Sequence, residues 1–79
     1  MTTHVIKIYT TSTCAYCKIA KDFFKASNVS FKEYDVASDK EAREEMIKKS
    51  GQLGVPVIEI DDNLIIGFDK PRINELLGL

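Results

Sequence analysis

Two apolar runs, residues 55–60 and 64–66, are separated only by Asp61-Asp62-Asn63. That connection is of hairpin length, so antiparallel pairing of the two runs is the favoured outcome, and the fold expected of this chain is built around that unit. Asp and Asn tolerate the turn geometry it demands. At 79 residues the chain holds a single domain, residues 1–79, since half that length seldom folds without disulfides or metal.

The remaining elements follow from periodicity. Residues 4–9, HVIKIY, form a β-branched run of strand length. Thr10, Thr11, Ser12 and Thr13 then offer a turn and a helix N-cap just before Cys14. From Ala15 the apolar positions Ile19, Ala20, Phe23 and Phe24 recur on one side and Lys18, Lys21, Asp22 and Lys25 on the other, predicting an amphipathic helix that ends near Asn28. Residues 29–36 alternate without a clean apolar face, which suits a short edge strand near residues 31–34. Ser38-Asp39-Lys40-Glu41 reads as a capping box, with Lys48 and Lys49 in the last turn, Gly51 past the end and a thin stripe of Ala42, Met46 and Ile47. In the last segment Asp69 can cap, Pro71 sits in the first turn, Ile73, Leu76 and Leu77 make a stripe and Gly78 stops the helix. The order is βαβαββα, an α/β fold with a four-stranded mixed sheet and three helices, the first two strands parallel across a crossover.

Composition narrows the function. With 44% apolar and 29% charged residues the chain has the balance of a soluble globular domain. Eleven Lys and Arg against twelve Asp and Glu give a net charge of −1, too little positive field for nucleic acid or anionic lipid. No apolar window approaches the length of a membrane span. The start, MTTHVIKIYT, lacks the features of a secretory signal, so a reducing, cytoplasmic setting is expected. There two cysteines are not a disulfide framework, and the spacing Cys14-Ala15-Tyr16-Cys17 is the feature that carries chemistry.

Cysteines three apart at the mouth of a helix share one face, where a disulfide between them can form and reopen. Cys14, at or just before the first turn, meets unpaired backbone N–H groups and the positive end of the helix dipole, which favour a thiolate. Such positions bring cysteine pKa values down to roughly 3.5–7.5 from about 8.5. Cys14 is thus the expected attacking sulfur, and Cys17, a turn deeper, the resolving one. A structural staple is a weaker reading, because so short a loop gains only about 2 kcal/mol. An intrachain zinc site lacks ligands, with His4 the one histidine and no further cysteine. His4, at the far end of the first strand from Cys14, is expected to begin that strand. A reading of another class is a module in which Cys14 and Cys17 hold a soft metal such as Cu(I), or a cluster shared between chains.

Taken together, TTSTCAYCKIA, SGQLGVPVIEID and LIIGFDKPRINELLG resemble the glutaredoxins and glutaredoxin-like redoxins of the thioredoxin fold, over nearly the whole chain. The resemblance implies thiol–disulfide exchange in electron transport and cell redox homeostasis, with no permanently bound cofactor, glutathione as cosubstrate, protein disulfides as substrates and a monomeric chain. It also implies a cis bond before Pro56, facing the cysteines, and a Val55 backbone offered to substrate as a short β-pairing. Elementary chemistry agrees with the placement, since proline leaves no unpaired N–H at a strand start. The remaining substrate-binding candidates are Thr11, Tyr16, Gln52, Gly67, Phe68 and Asp69. Three departures bear on substrate. Ala15 stands where the family has proline, Thr11 where it has a lysine that holds a glutathione carboxylate, and Gly67-Phe68 where it tends to show Gly-Gly. Gln52 matches a glutathione-contacting position, and Asp69 could meet the glutathione amino group or serve only as an N-cap. For Phe68 a core or rim position competes with a substrate-facing one. The Gly-Phe form is similar to redoxins that draw electrons from thioredoxin reductase and feed ribonucleotide reductase.

Overall fold

The computed structural model describes residues 4–78. Four strands, β1 (Ile6–Thr10), β2 (Lys32–Asp35), β3 (Val57–Ile60) and β4 (Asn63–Ile66), lie in the order β2-β1-β3-β4. Three helices, α1 (Ala15–Ala26), α2 (Lys40–Ser50) and α3 (Lys70–Leu77), complete the expected order. β1 runs parallel to β2 and antiparallel to β3, and β3–β4 is the hairpin.

The interior strands β1 and β3 are buried on both faces, and each face carries its own cluster. Ile6, Ile8, Ile58, Ile60 and Ile65 of the sheet pack with Ala20 and Phe24 of α1 and Ile73 of α3. On the other side Tyr9, Val36 and Val57 pack with Ala42 and Met46 of α2. The α2 stripe is thinner than expected, because Ile47 is exposed. Polar pinning supplements it: the Lys49 ammonium lies 2.8 Å from Glu45 and 3.1 Å from Glu59 of β3. Those carboxylates hold the Lys49 pKa above its ordinary value, the Glu45 bond first.

Element ends differ from the sequence expectation for identifiable reasons. β1 starts at Ile6 rather than His4 because both backbone groups of Val5 are taken by the hairpin turn, its carbonyl by the Asp61 N–H at 2.8 Å and its N–H by Asp61 Oδ1 at 2.9 Å. His4 Nδ1 lies 2.8 Å from Asp61 Oδ2, at the end of the sheet opposite Cys14. α1 stops at Ala26 rather than Asn28: Asn28 takes a left-handed φ of 57°, and Val29 N–H returns to the Phe24 carbonyl at 3.0 Å. α2 is capped by Asp39, whose Oδ1 accepts from Ala42 N–H at 3.1 Å, so Ser38 does not head a capping box. Ile19, placed on the buried side of α1 by its spacing, is exposed, and Cys17 takes the buried position instead. β3 begins after Pro56, which has no N–H to join a ladder.

Candidate active site

β1 delivers the chain to the site. Thr10 closes the strand, its carbonyl accepting from Val36 N–H at 2.9 Å, and the next residues turn so that Cys14 N–H reaches the Thr11 carbonyl at 3.3 Å. The hydroxyl run was expected to supply the N-cap, but the cap is Cys14 itself. Its backbone is extended (φ −88°, ψ 110°) and its Sγ accepts from Cys17 N–H at 3.1 Å. A sulfur thus takes the place usually held by a Ser or Asp oxygen, facing the positive end of α1.

The two cysteines differ in environment. Cys14 is half-buried, whereas Cys17, on the inner face of α1, is 1% exposed. Burial pushes the Cys17 thiol up to about 12, the side-chain hydrogen bond with Cys14 adding to the rise and the Thr11 backbone and Lys21 opposing it. One sulfur is therefore presented and the other held back as a neutral thiol.

Next to the cysteine loop lies the start of β3. Tyr9 pairs with Val57, which puts Pro56 at the C-terminal end of β1, from which the cysteine loop departs. The Val55–Pro56 bond is cis. The Pro56 carbonyl accepts from Gly67 N–H at 2.8 Å, so the Gly67-Phe68 segment adjoins the same corner, with Gly67 at a φ of 85° that suits glycine.

The substrate-binding candidates divide on this frame. Tyr16 is 65% exposed, between the cysteines. Leu53, which sequence reasoning did not single out, is 64% exposed in the loop before Val55. The Phe68 ring packs edge-on against Phe23 of α1, the ring centroids 5.7 Å apart, and lies partly buried against the core. Asp69 is the α3 N-cap, accepting from Arg72 N–H at 3.3 Å while staying exposed. Gln52 turns back on its own loop, its Nε2 donating to the Gly54 carbonyl at 3.1 Å. Thr11 contributes backbone groups.

One turn along α1 from Cys17 lies a polar group that the sequence reading missed. Thr10, 1% exposed, donates from Oγ1 to Glu33 Oε2 at 2.8 Å, and the same oxygen lies 2.8 Å from Lys21 Nζ. Lys21 and Thr10 hold the Glu33 carboxyl below its ordinary range, Lys21 most strongly, and the Glu33 bond raises Lys21 in turn. The alternation along α1 places Lys21 on the solvent side, whereas its ammonium turns in to Glu33. The legible signal was its position four residues after Cys17, which puts both on one helix face. Among the described residues no group of three or more His, Cys, Asp or Glu gathers to hold a metal. None of their helices is long and apolar enough to cross a membrane.

Comparison with known proteins agrees with this geometry. The glutaredoxin family model matches residues 6–65. An uncharacterized glutaredoxin-like 8.6 kDa protein in a rubredoxin operon of Clostridium pasteurianum is 49% identical over 73 residues, 92% of this chain and 97% of that protein. Glutaredoxin 3 of Escherichia coli K12 is 45% identical over 64 residues, 81% of this chain and 77% of that one. The crystal structure of a glutaredoxin from Archaeoglobus fulgidus superposes with a TM-score of 0.82 at 27% identity, over 91% of this chain and 84% of that one. With a four-stranded β2-β1-β3-β4 sheet, a cysteine-capped helix and a cis-proline at the adjoining strand start, the chain belongs to the glutaredoxin family.

Proposed function

We propose that the protein is a thiol–disulfide oxidoreductase that reduces protein or glutathione mixed disulfides through the Cys14/Cys17 dithiol, with glutathione as cosubstrate. The observation that carries this reading is the asymmetry of the pair: Cys14 Sγ caps α1 and is reachable, whereas Cys17 is buried with its thiol pushed up to about 12. Cys14 as thiolate attacks one sulfur of a disulfide; a Cys14–substrate disulfide forms and the other sulfur leaves as a thiolate that takes a proton from water. Cys17, after losing its proton, then attacks Cys14 Sγ, forming the Cys14–Cys17 disulfide and releasing the second substrate thiolate. Alternatively a glutathione thiolate attacks the mixed disulfide from solvent. The cycle moves two electrons on the sulfurs alone, so it needs no resident cofactor.

In this reading Val55 presents its backbone to the substrate beside Pro56, and Tyr16 and Leu53 offer apolar contact to a protein partner. A second reading, reduction by thioredoxin reductase for delivery to ribonucleotide reductase, is favoured by two observations: Thr11 brings no cation for a glutathione carboxylate, and the Gln52 amide is engaged with Gly54. One coupled assay decides. NADPH consumption is followed with glutathione and glutathione reductase, and separately with thioredoxin reductase alone. Turnover only through glutathione supports the first reading and turnover only through thioredoxin reductase the second. A chain that purifies with bound Cu(I) or a cluster and reduces no disulfide sinks both.

A further inference from the structure

We propose that Lys21, fixed by Glu33, is the positioning charge that lets the buried Cys17 ionise for the resolving attack. The inference rests on the dithiol reading above. Cys17 is sealed under α1 and works as a nucleophile only after losing its proton, so some neighbour must offset the cost of a buried anion. Lys21 stands one turn on, on the same helix face, close enough for its charge to act on Cys17. Its ammonium does not swing free: Glu33 Oε2 of β2 holds it at 2.8 Å, and Thr10 Oγ1 holds that oxygen in turn at 2.8 Å. Thr10 and Ile8, the partner of Glu33, lie on the α1 side of the sheet, so the chain Thr10–Glu33–Lys21 ties β1, β2 and α1 together on the side where Cys17 is buried. The other charges in reach sit one step out, Asp22 acting on Lys21 and Lys25 on Glu33.

The step balances without a further reagent. Cys17 gives its proton to water, its sulfur attacks Cys14 Sγ, the Cys14–Cys17 bond forms, and the Cys14–substrate bond breaks with its electron pair on the departing thiolate. Lys21 takes no proton in this scheme.

The test isolates the resolving step. Reduced protein is mixed with a glutathionylated peptide, and quenched mass spectrometry follows formation and decay of the Cys14 mixed disulfide from pH 6 to pH 10. In Lys21→Met the decay is expected to be about three- to tenfold slower than in the wild type at every pH in this range, because a thiol raised this far stays limited by thiolate supply throughout. Formation of the mixed disulfide should be unchanged. Lys21→Arg should restore decay to within about twofold, and Lys32→Met, which removes a cation from the opposite face of the sheet, should leave it unaltered. Lys21→Gln serves should Lys21→Met fail to fold. Decay that ignores Lys21 at every pH, or that Lys21→Arg fails to restore, overturns the proposal while leaving the dithiol reading intact. A wild type that never forms the mixed disulfide overturns the dithiol reading itself.

Discussion

The most informative perturbation separates the two thiols by their reactivity. Raising a thiol from an ordinary 9.0 to about 12 cuts its thiolate fraction at pH 8 by about a thousandfold, equivalent to about 4 kcal/mol. Burial is the largest cause and Cys14 the next, so a Cys14→Ser chain keeps the burial contribution. The assay is alkylation of reduced Cys14→Ser and Cys17→Ser proteins by iodoacetamide at pH 8, read by mass spectrometry. Cys14 in the second protein should react readily, whereas Cys17 in the first should react more than about tenfold more slowly than a free thiol peptide. Comparable rates for the two would show that Cys17 is neither sealed nor desolvated, and would remove the physical reason for giving the pair different roles. The same shift fixes a pH dependence. The folded state holds the Cys17 proton more tightly than the unfolded chain, so the associated stability is complete below about pH 9 and is lost as pH climbs toward about 12. In urea unfolding that loss reaches about 1.4 kcal/mol per pH unit at its steepest, and Cys17→Ala should flatten the alkaline limb.

Other outcomes follow from the packing. Met46→Ala removes the largest buried side chain of α2 and should cost about 2–5 kcal/mol in chemical denaturation, with amide exchange rising first in α2. Asp39→Ala should cost about 1 kcal/mol in the same measurement and Ser38→Ala little, because Asp39 is the α2 cap; the reverse ranking would restore the capping box. Lys49→Met should cost up to about 1 kcal/mol at low salt and less at high salt, through loss of the link from α2 to Glu59. In Gly54→Ala a Cβ would come within 3.0 Å of Gln52 Oε1, so the Gln52 side chain should swing off the Gly54 carbonyl, visible as a chemical-shift change at both residues with little loss of melting temperature.

Much of the protein is written locally in the chain. Periods of two and of three to four residues, the short Asp61-Asp62 turn, the Asp69 cap and the Gly78 stop each depend on neighbours within a turn or two. That is why element order, the edge position of β2 and the Cys14/Cys17 pair could all be read from sequence. Misplaced features depend on partners distant in sequence. The start of β1 is set by Asp61, fifty-six residues from Val5. The exchange of Ile19 for Cys17 on the buried side of α1 is set by which arc of the helix the sheet covers, and spacing alone leaves that arc uncertain by one position. Phe68 became a packing residue because Phe23 stands across from it. The sequence by itself determined which atoms could do chemistry, since a thiol pair at a helix mouth is a local arrangement. Only the tertiary structure decided how deeply Cys17 is desolvated, because its burial and the Lys21–Glu33 pair one turn along exist only when α1 lies on β1 and β2.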